Sequence, residues 1–173
     1  RSIWVTGVQT CALPILILLQ GVRPEEVMKA RVEDVHGGHW FIPRGKSKAA
    51  RRLLKLTAES RGILERRAMA AESGWLFAGR REGEHAATFQ RTHEAVLKVC
   101  GIEFVMYDLR HTFATRAAAH GVPVTTLAAI LGHGNLRSVM KYVHVRQDDI
   151  DRGMEALDAA RPKDAVGEKA RVM

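Results

Sequence analysis

The chain has 173 residues, of which 46% are hydrophobic, and this is enough to build the core of one domain. Lys and Arg number 27 against 19 Asp and Glu, and the net charge of +8 favours a polyanionic partner such as DNA. The two cysteines form no CxxC pair and the longest apolar run covers only residues 15–19, so the composition excludes a disulfide scaffold and a membrane protein and favours the cytoplasm.

The first fifteen residues contain a stretch unlike the rest of the chain. Within them, GVQTCALPI resembles a translated sequencing-library adapter fused to a reading frame. We therefore interpret residues 1–15 as foreign to the natural protein and exclude them from function. The natural domain would then begin near Leu16, inside a helix, and would be truncated at its N-terminus. An unselected segment is expected to pack loosely, with Trp4, Val5 and Val8 at the surface, and to be dispensable for stability.

The next stretch predicts an apolar helix that ends at Gly21. Arg23 follows and precedes Pro24, a residue that is favoured at the first position of a helix. Glu26 completes a G-x-R-x-x-E pattern. Taken alone, this pattern also describes a surface arginine near a helix start, so its interpretation depends on the motifs further along the chain.

A small antiparallel sheet is predicted after the turn signal HGG, with HWFIP as one strand and RRLLKL as the returning strand. The polar connection GKSKAA carries Lys46 and Lys48. Three arginines flank these lysines: Arg44, Arg51 and Arg52. We expect this basic hairpin to contact DNA phosphates.

Two helices are predicted between the hairpin and the C-terminal half. Thr57 is a candidate N-cap for a helix that extends to about Ala71. Residues 87–99 form an amphipathic pattern, in which we expect His93 to be a packed side chain and not a ligand. Cys100, which follows, is expected to be a small core residue.

The stretch from Tyr107 to Tyr142 contains both tyrosines of the chain and predicts three short helices. Breaks at 121–123 and 132–135 separate them. The stretch carries Arg110 and His111 in the first turn of one helix, and His133 in a glycine-flanked turn.

These side chains suit phosphoryl transfer on a phosphodiester. A guanidinium binds phosphate through two hydrogen bonds, and an imidazole holds or donates a proton near neutral pH. Tyr142 falls outside the apolar stripe of its helix, so its hydroxyl can face a groove. The stretch contains no carboxylate cluster, Cys and His pair or Gly-rich phosphate loop, so we expect no metal, no cofactor and no small-molecule substrate.

The motifs resemble those of the tyrosine recombinases, the phage and transposon integrases. That family's catalytic domain carries H-x-x-R, then L-G-H, then a nucleophilic tyrosine about nine residues later. This chain has YDLRH, LGHG and KYVH in the same order, and Tyr142 lies nine residues after His133. The segment around Arg23 resembles the family's first arginine motif. One departure is Tyr107, which replaces the first His of H-x-x-R and cannot carry an imidazolium charge.

The resemblance implies a mainly α fold with a small antiparallel β-sheet (α+β) over residues 16–160, followed by a flexible tail over 161–173. It implies a site-specific recombinase or integrase domain that cuts and rejoins double-stranded DNA through a 3′-phosphotyrosyl intermediate without a cofactor. It also implies self-association into a tetramer on DNA and a cytoplasmic, nucleoid-associated location for a protein encoded by a bacterium or a phage.

The resemblance also implies a role for each site residue. Tyr142 would be the nucleophile, Arg23 and Arg110 would bind the phosphate oxygens, and His133 and Tyr107 would donate hydrogen bonds to the phosphate.

A hairpin lysine would protonate the leaving oxygen in this family. Lys48 matches by counting back from the strand RRLLKL and is preferred, whereas Lys46 matches relatives that carry G-K. We assign Lys46 to DNA binding together with the three arginines of the hairpin: Arg44, Arg51 and Arg52.

Three other interpretations stay open. The chain could be an inactive remnant, because it starts late and carries Tyr107. It could be a non-enzymatic DNA-binding module in which helices over 108–119 and 123–131 imitate a helix-turn-helix. A type IB topoisomerase shares the chemistry, but the L-G-H turn and the basic hairpin resemble the integrases more.

Overall fold

The computed structural model describes residues 4–43, 48–145 and 147–160, and the side chains of 12–43, 49–145 and 147–160. Arg44, Lys46 and the predicted tail over 161–173 lie outside the described residues, as do the side chains of the first eleven residues and of Lys48. The chain divides into two units, residues 1–143 and 144–173, and each is described by itself.

The first unit opens with helix α1 (Trp4–Gln20), which ends at Gly21 as predicted. Gly21 has a φ of 63°, and a Cβ added there would come within 2.3 Å of the Phe113 ring. Only glycine therefore allows the chain to turn here while α1 packs closely on the later helix that carries Phe113. Helix α2 (Pro24–Met28) begins directly after this turn, with proline at its first position.

Helix α1 runs through residue 15 without a break. Ala12 and Leu13 are only 7% and 1% exposed and belong to the same core cluster as Leu16 and Ile17, which follow them by one helical turn. The expectation that residues 1–15 add nothing to packing is therefore wrong for Ala12 and Leu13. The adapter origin of the segment stays a prediction, and the side chains of Trp4, Val5 and Val8 lie outside the described part of the chain.

The predicted antiparallel sheet is confirmed and has three strands in the order β1 (Val35–His36), β2 (His39–Ile42) and β3 (Arg52–Lys55). Short 3-10 turns precede it at Val32–Asp34 and precede β3 at Lys48–Ala50. Trp40 pairs with Leu54 in register, and both side chains are buried. Because side chains alternate along β3, Arg52 lies on the same inward face as Leu54.

Helix α3 (Ala58–Met69) is capped as predicted by Thr57, whose hydroxyl oxygen accepts a hydrogen bond from the Ser60 amide at 3.2 Å. Helix α4 (Gln90–Cys100) contains no buried residue. The expectation that Cys100 packs in the core is therefore wrong, because the helix that carries it does not bury a face and leaves its thiol exposed.

Three helices complete the first unit: α5 (Met106–Ala119), α6 (Val124–Leu131) and α7 (Arg137–Met140). Helix α5 packs against α1 on one side and α6 on the other. A second core cluster joins α5, α6 and α7 through five buried residues: Ala114, Leu127, Ala128, Leu131 and Val139.

The second unit consists, among its described residues, of helix α8 (Gln147–Ala159), which buries no side chain. The predicted mainly α fold with a small antiparallel sheet is confirmed. No helix in the described part of the chain is long and apolar enough to cross a membrane.

The burial of Leu13 gives a test of the first fifteen residues. We expect Leu13→Ala to lower the free energy of unfolding by about 2–5 kcal/mol, the range for truncating a buried leucine. The matched control is Leu53→Ala, because Leu53 is 61% exposed on β3 and its truncation should change stability by about 0.5 kcal/mol or less. Urea unfolding of both variants measures the difference, and equal small effects would show that the segment is loose after all.

Candidate active site

Arg110 lies on α5 and is only 1% exposed, although it carries a guanidinium. Its Nη1 donates to the carbonyl of Gly21, just after α1, and its Nη2 donates to the carbonyl of Leu131 at 2.6 Å. Burial is the main cause that lowers the pKa of Arg110 to about 10, and the charge of Arg23 lowers it further. Arg110 is therefore still a cation at neutral pH, held between the ends of two helices.

Arg23 and Arg52 share one buried carboxylate, that of Glu26. The Oε1 atom of Glu26 accepts from both Arg23 and Arg52 at 2.9 Å, and its Oε2 accepts from Arg52 at 2.9 Å and from the Arg23 amide at 2.7 Å. Burial raises the pKa of Glu26, but the hydrogen bonds and charges of Arg52 and Arg23 outweigh burial and bring it below its usual value. Glu26 is therefore an anion that orients both arginines.

Arg23 keeps part of its side chain, 29%, open to solvent. It also donates to the carbonyl of Gly132 at 3.3 Å, which ties α2 to the turn after α6. Arg23, Tyr107 and Gly132 line one open cavity of about 730 Å³. The guanidinium is thus positioned by the protein and accessible to an anion in that cavity.

Arg52 is placed differently from the expected DNA contact. It is 9% exposed, and besides Glu26 it binds the carbonyl of Ile130 at 2.6 Å and that of Ala50 at 2.9 Å. Because these partners bind its guanidinium inside the protein, the expectation that Arg52 contacts DNA is wrong, and this arginine instead stabilises the fold. Arg51, which immediately precedes β3, is exposed and donates to the carbonyl of Pro43 at 3.2 Å.

His133 lies in the turn after α6, where its Nε2 is 3.0 Å from Nη2 of Arg110. A guanidinium can only donate, so Nε2 accepts and the ring proton is on Nδ1, which is buried without a partner among the described atoms. Burial first, and then the charges of Arg110 and Arg23, lower the pKa of His133 to about 4. The imidazole is neutral near pH 7.

Tyr142 follows α7 and is half-buried beside the second core cluster. Its hydroxyl forms a short hydrogen bond with Nδ1 of His111 on α5. The ammonium group of Lys141 lies 4.9 Å from the centre of the Tyr142 ring. The phenol is thus held by a neighbouring imidazole and lies close to a positive charge.

Tyr107 stands in the first turn of α5 and is 39% exposed. The guanidinium carbon of Arg110 lies 5.9 Å from the centre of its ring, and the His111 ring packs edge-on against it at 5.1 Å. Tyr107 thus links two sets of contacts. Arg110 and His133 form one set, and His111 and Tyr142 form the other.

The candidate lysines of the hairpin stay predictions. The backbone of Lys48 opens the 3-10 turn before β3, but its side chain lies outside the described part of the chain, as do Lys46 and Arg44. In the described residues, no group of three or more His, Cys, Asp or Glu side chains could hold a metal ion.

Sequence reasoning noted His111 beside Arg110 but gave it no role in the site. The available signal was its position four residues after Tyr107 on the same helix, because residues at that spacing share a face. Its partner Tyr142 is 31 residues away along the chain, and no local pattern indicates that pairing.

Comparison with known proteins identifies the same region. A family model described as the phage integrase family matches residues 6–149. A tyrosine recombinase of Pseudothermotoga lettingae is 32% identical over 137 residues, which are 75% of this chain and 47% of that protein. The tyrosine recombinase XerA of Saccharolobus solfataricus is 29% identical over 152 residues, 86% of this chain and 50% of the relative. The chain therefore spans about half the length of these curated relatives.

Solved structures share the fold. The crystal structure of XerA recombinase is similar with a TM-score of 0.64 and 22% identity, covering 91% of this chain and 59% of that one. The Tn1549 transposon integrase in complex with circular intermediate DNA gives a TM-score of 0.70 with 17% identity, covering 84% and 57%. At 22% and 17% identity, the similarity to these two structures shows the fold alone.

The buried carboxylate predicts a pH dependence. A carboxyl whose pKa is depressed in the folded state stabilises the protein above its unfolded pKa, and that stability is lost as pH falls through the folded pKa. We expect Glu26→Gln to lower the free energy of unfolding at pH 7 by about 3–5 kcal/mol, because it leaves two arginines without their counter-ion. Below the folded pKa of Glu26 the variant and the parent should converge.

The matched control is Glu33→Gln, which removes the carboxylate of an exposed pair with Arg31. Such a pair contributes less than about 1 kcal/mol. Urea unfolding from pH 7 to pH 3 measures both variants. A Glu26→Gln variant as stable as the control at pH 7 would refute the central role of this carboxylate.

Proposed function

Because the chain belongs to the phage integrase family, we propose that it is the catalytic domain of a site-specific recombinase that cuts and rejoins double-stranded DNA. One observation supports this proposal above the others: the fold places a half-buried phenol, that of Tyr142, in the same side-chain network as the buried Arg110. A phenol nucleophile with guanidinium groups nearby is suited to attack on a phosphodiester.

In the proposed reaction the hydroxyl oxygen of Tyr142 attacks the phosphorus of a DNA phosphate. The bond from phosphorus to the 5′ oxygen breaks, which leaves a 3′-phosphotyrosyl bond and a free 5′-hydroxyl. A 5′-hydroxyl from the partner strand then attacks the same phosphorus and releases the tyrosine. Each bond is exchanged for one of similar energy, so the proposed cycle needs no nucleotide cofactor.

The arginines would stabilise the charge that builds up on the non-bridging oxygens. The described hydrogen bonds of Arg110 use three of the five N–H groups of a guanidinium, so two are left for a phosphate oxygen. Arg23 presents its partly open guanidinium to the cavity beside it. His133 and Tyr107 would add hydrogen bonds to the phosphate, and Lys48, with Lys46 as the alternative, would protonate the leaving oxygen.

Double-stranded DNA is the proposed partner. The net charge of +8 favours a polyanion, and the similar Tn1549 transposon integrase was solved in complex with circular intermediate DNA. Exchange between two duplexes requires a cut in each of four strands, which supports a tetramer on DNA. We further propose that the protein works on DNA in the nucleoid, with Arg44, Lys46 and Arg51 contacting phosphates.

The alternatives differ in what they leave on DNA. A non-enzymatic binding module or an inactive remnant forms no covalent adduct. A type IB topoisomerase forms one but relaxes supercoils without exchanging strands.

Covalent capture tests the nucleophile. We expect Tyr142→Phe to abolish the denaturant-resistant adduct on a suicide DNA substrate, because the variant lacks the attacking oxygen. DNA binding should be nearly unchanged, since many basic groups contribute to it. The matched control is Tyr107→Phe at the only other tyrosine, which should still form the adduct, although more slowly. An adduct with Tyr142→Phe would exclude Tyr142 as the nucleophile.

A charge-matched pair tests the phosphate-binding role of Arg23. We expect Arg23→Ala to slow single-turnover cleavage by about 100-fold or more, as when one transition-state donor is removed. Arg31→Ala removes the same charge from an exposed ion pair and should leave cleavage nearly unchanged. Both variants should lose similar DNA affinity in a binding titration, and equal cleavage rates would refute the role of Arg23.

A further inference from the structure

His111 is the side chain in hydrogen-bond contact with the phenol of Tyr142. Its Nδ1 bonds the Tyr142 hydroxyl, and the two ring centres lie 5.6 Å apart with the planes inclined by 43°. On its other side the Tyr107 ring packs edge-on at 5.1 Å. The imidazole therefore lies between two phenols, and its position is fixed by α5, the helix that also carries Arg110.

Burial, together with the surrounding charges, favours the neutral form of the His111 ring. Burial is the main cause that lowers its pKa, followed by the positive charge of Lys141, while Asp108 opposes this and Arg110 adds to it. A neutral imidazole has one N–H and one free acceptor nitrogen. When the proton is on Nε2, Nδ1 is free to accept the hydroxyl proton of Tyr142.

The surroundings of Tyr142 favour this direction of the hydrogen bond. The ammonium group of Lys141 lies 4.9 Å from the centre of the phenol ring, where it stabilises negative charge that develops on the phenol as its proton leaves. The phenol is therefore a better donor than acceptor in this pair.

The other groups near this pair are engaged elsewhere. Nε2 of His133 accepts from Arg110, and the low pKa of that ring, about 4, makes it a weak base. The carboxylate of Asp108 accepts from the amide of Val105 at 2.9 Å at the start of α5.

We propose that His111 is a catalytic residue, the base that accepts the Tyr142 hydroxyl proton during strand cleavage and returns it during rejoining. This inference rests on the function proposed above. As the oxygen of Tyr142 bonds to phosphorus, its O–H bond breaks and the proton moves to Nδ1, while the bond from phosphorus to the 5′ oxygen breaks and that oxygen takes a proton from a separate acid. On rejoining, the bond from phosphorus to Tyr142 breaks, and the imidazolium gives its proton back to the phenolate.

The first test is His111→Asn, because an amide can still accept a hydrogen bond near the position of Nδ1 but cannot take up a proton. We expect single-turnover adduct formation to slow by about 100-fold or more at pH 7. In the parent the rate should fall as pH drops through the pKa of His111, which lies below its usual value of about 6.5. The variant should show no such decrease. The matched control is His120→Asn, an exposed histidine at the end of the same helix, which should cleave at the parent rate.

A His111→Asn variant that cleaves at the parent rate would overturn the proposal, because a hydrogen bond alone would then suffice. An unchanged pH profile would overturn it as well. Melting temperatures of both variants verify that the protein is folded.

The second test needs neither DNA nor a variant at His111. Long-range proton–nitrogen NMR spectra of the imidazole rings identify which nitrogen carries the proton. We expect His111 to carry it on Nε2, with an Nδ1 resonance that shifts in Tyr142→Phe. A proton on Nδ1 would mean that His111 donates to the phenol, and this would overturn the proposal even if the parent protein cleaves DNA.

The two tests separate the proposals. If the parent forms no adduct, the proposed function fails, while the spectra still decide whether His111 accepts the proton of Tyr142.

Discussion

Three arginines satisfy carbonyl groups that two helix ends leave free. The last four carbonyls of an α-helix have no partner within it and form the negative end of its dipole. In α6 the first two of these accept backbone amides, those of His133 and Gly132. The next two, on Ile130 and Leu131, accept from Arg52 and Arg110.

Guanidinium groups also bind carbonyls in the neighbouring turns. Arg110 also binds the carbonyl of Gly21 after α1, and Arg23 binds that of Gly132 after α6. Glycine is required at 132, where φ is 66° and a Cβ would lie 2.7 Å from a nitrogen of Arg52. Arginine bonds to backbone carbonyls thus add to the apolar packing that joins α1, α2, α5 and α6.

This joint leaves an excess of positive charge that defines the site. Glu26 is the carboxylate bound to Arg23 and Arg52, and Arg110 adds a third cation. In addition to burial, that excess helps to keep His133 neutral, because the arginines would repel a positive charge on its imidazole. A bound phosphate would supply the missing negative charge, so the arrangement that holds the fold together also favours an anionic substrate.

Sequence reasoning predicted what local patterns determine. Periodicity and turn chemistry predict four features: the helix that ends at Gly21, the N-cap at Thr57, the hairpin strands, and the three helices between Tyr107 and Tyr142. It did not predict that Arg52 points inwards, because the strand pattern alone does not distinguish a basic residue facing DNA from one bound to a carboxylate 26 residues away. It also placed Cys100 in the core, since an amphipathic pattern indicates an apolar face without indicating whether anything covers it.

The degree of burial of each site residue determines whether its substitution affects only the proposed reaction or also the fold. Arg110 binds two helix ends through two of its N–H groups and His133 through a third, and would bind phosphate with the others, so its removal is expected to disturb the fold and the proposed chemistry together. Tyr142 and His111 are less buried, and their mutual hydrogen bond lies at the edge of the second core cluster instead of inside it. The proposed chemistry at Tyr142 can therefore be altered with little effect on packing, whereas the proposed phosphate binding by Arg110 cannot be separated from the joint that this arginine stabilises.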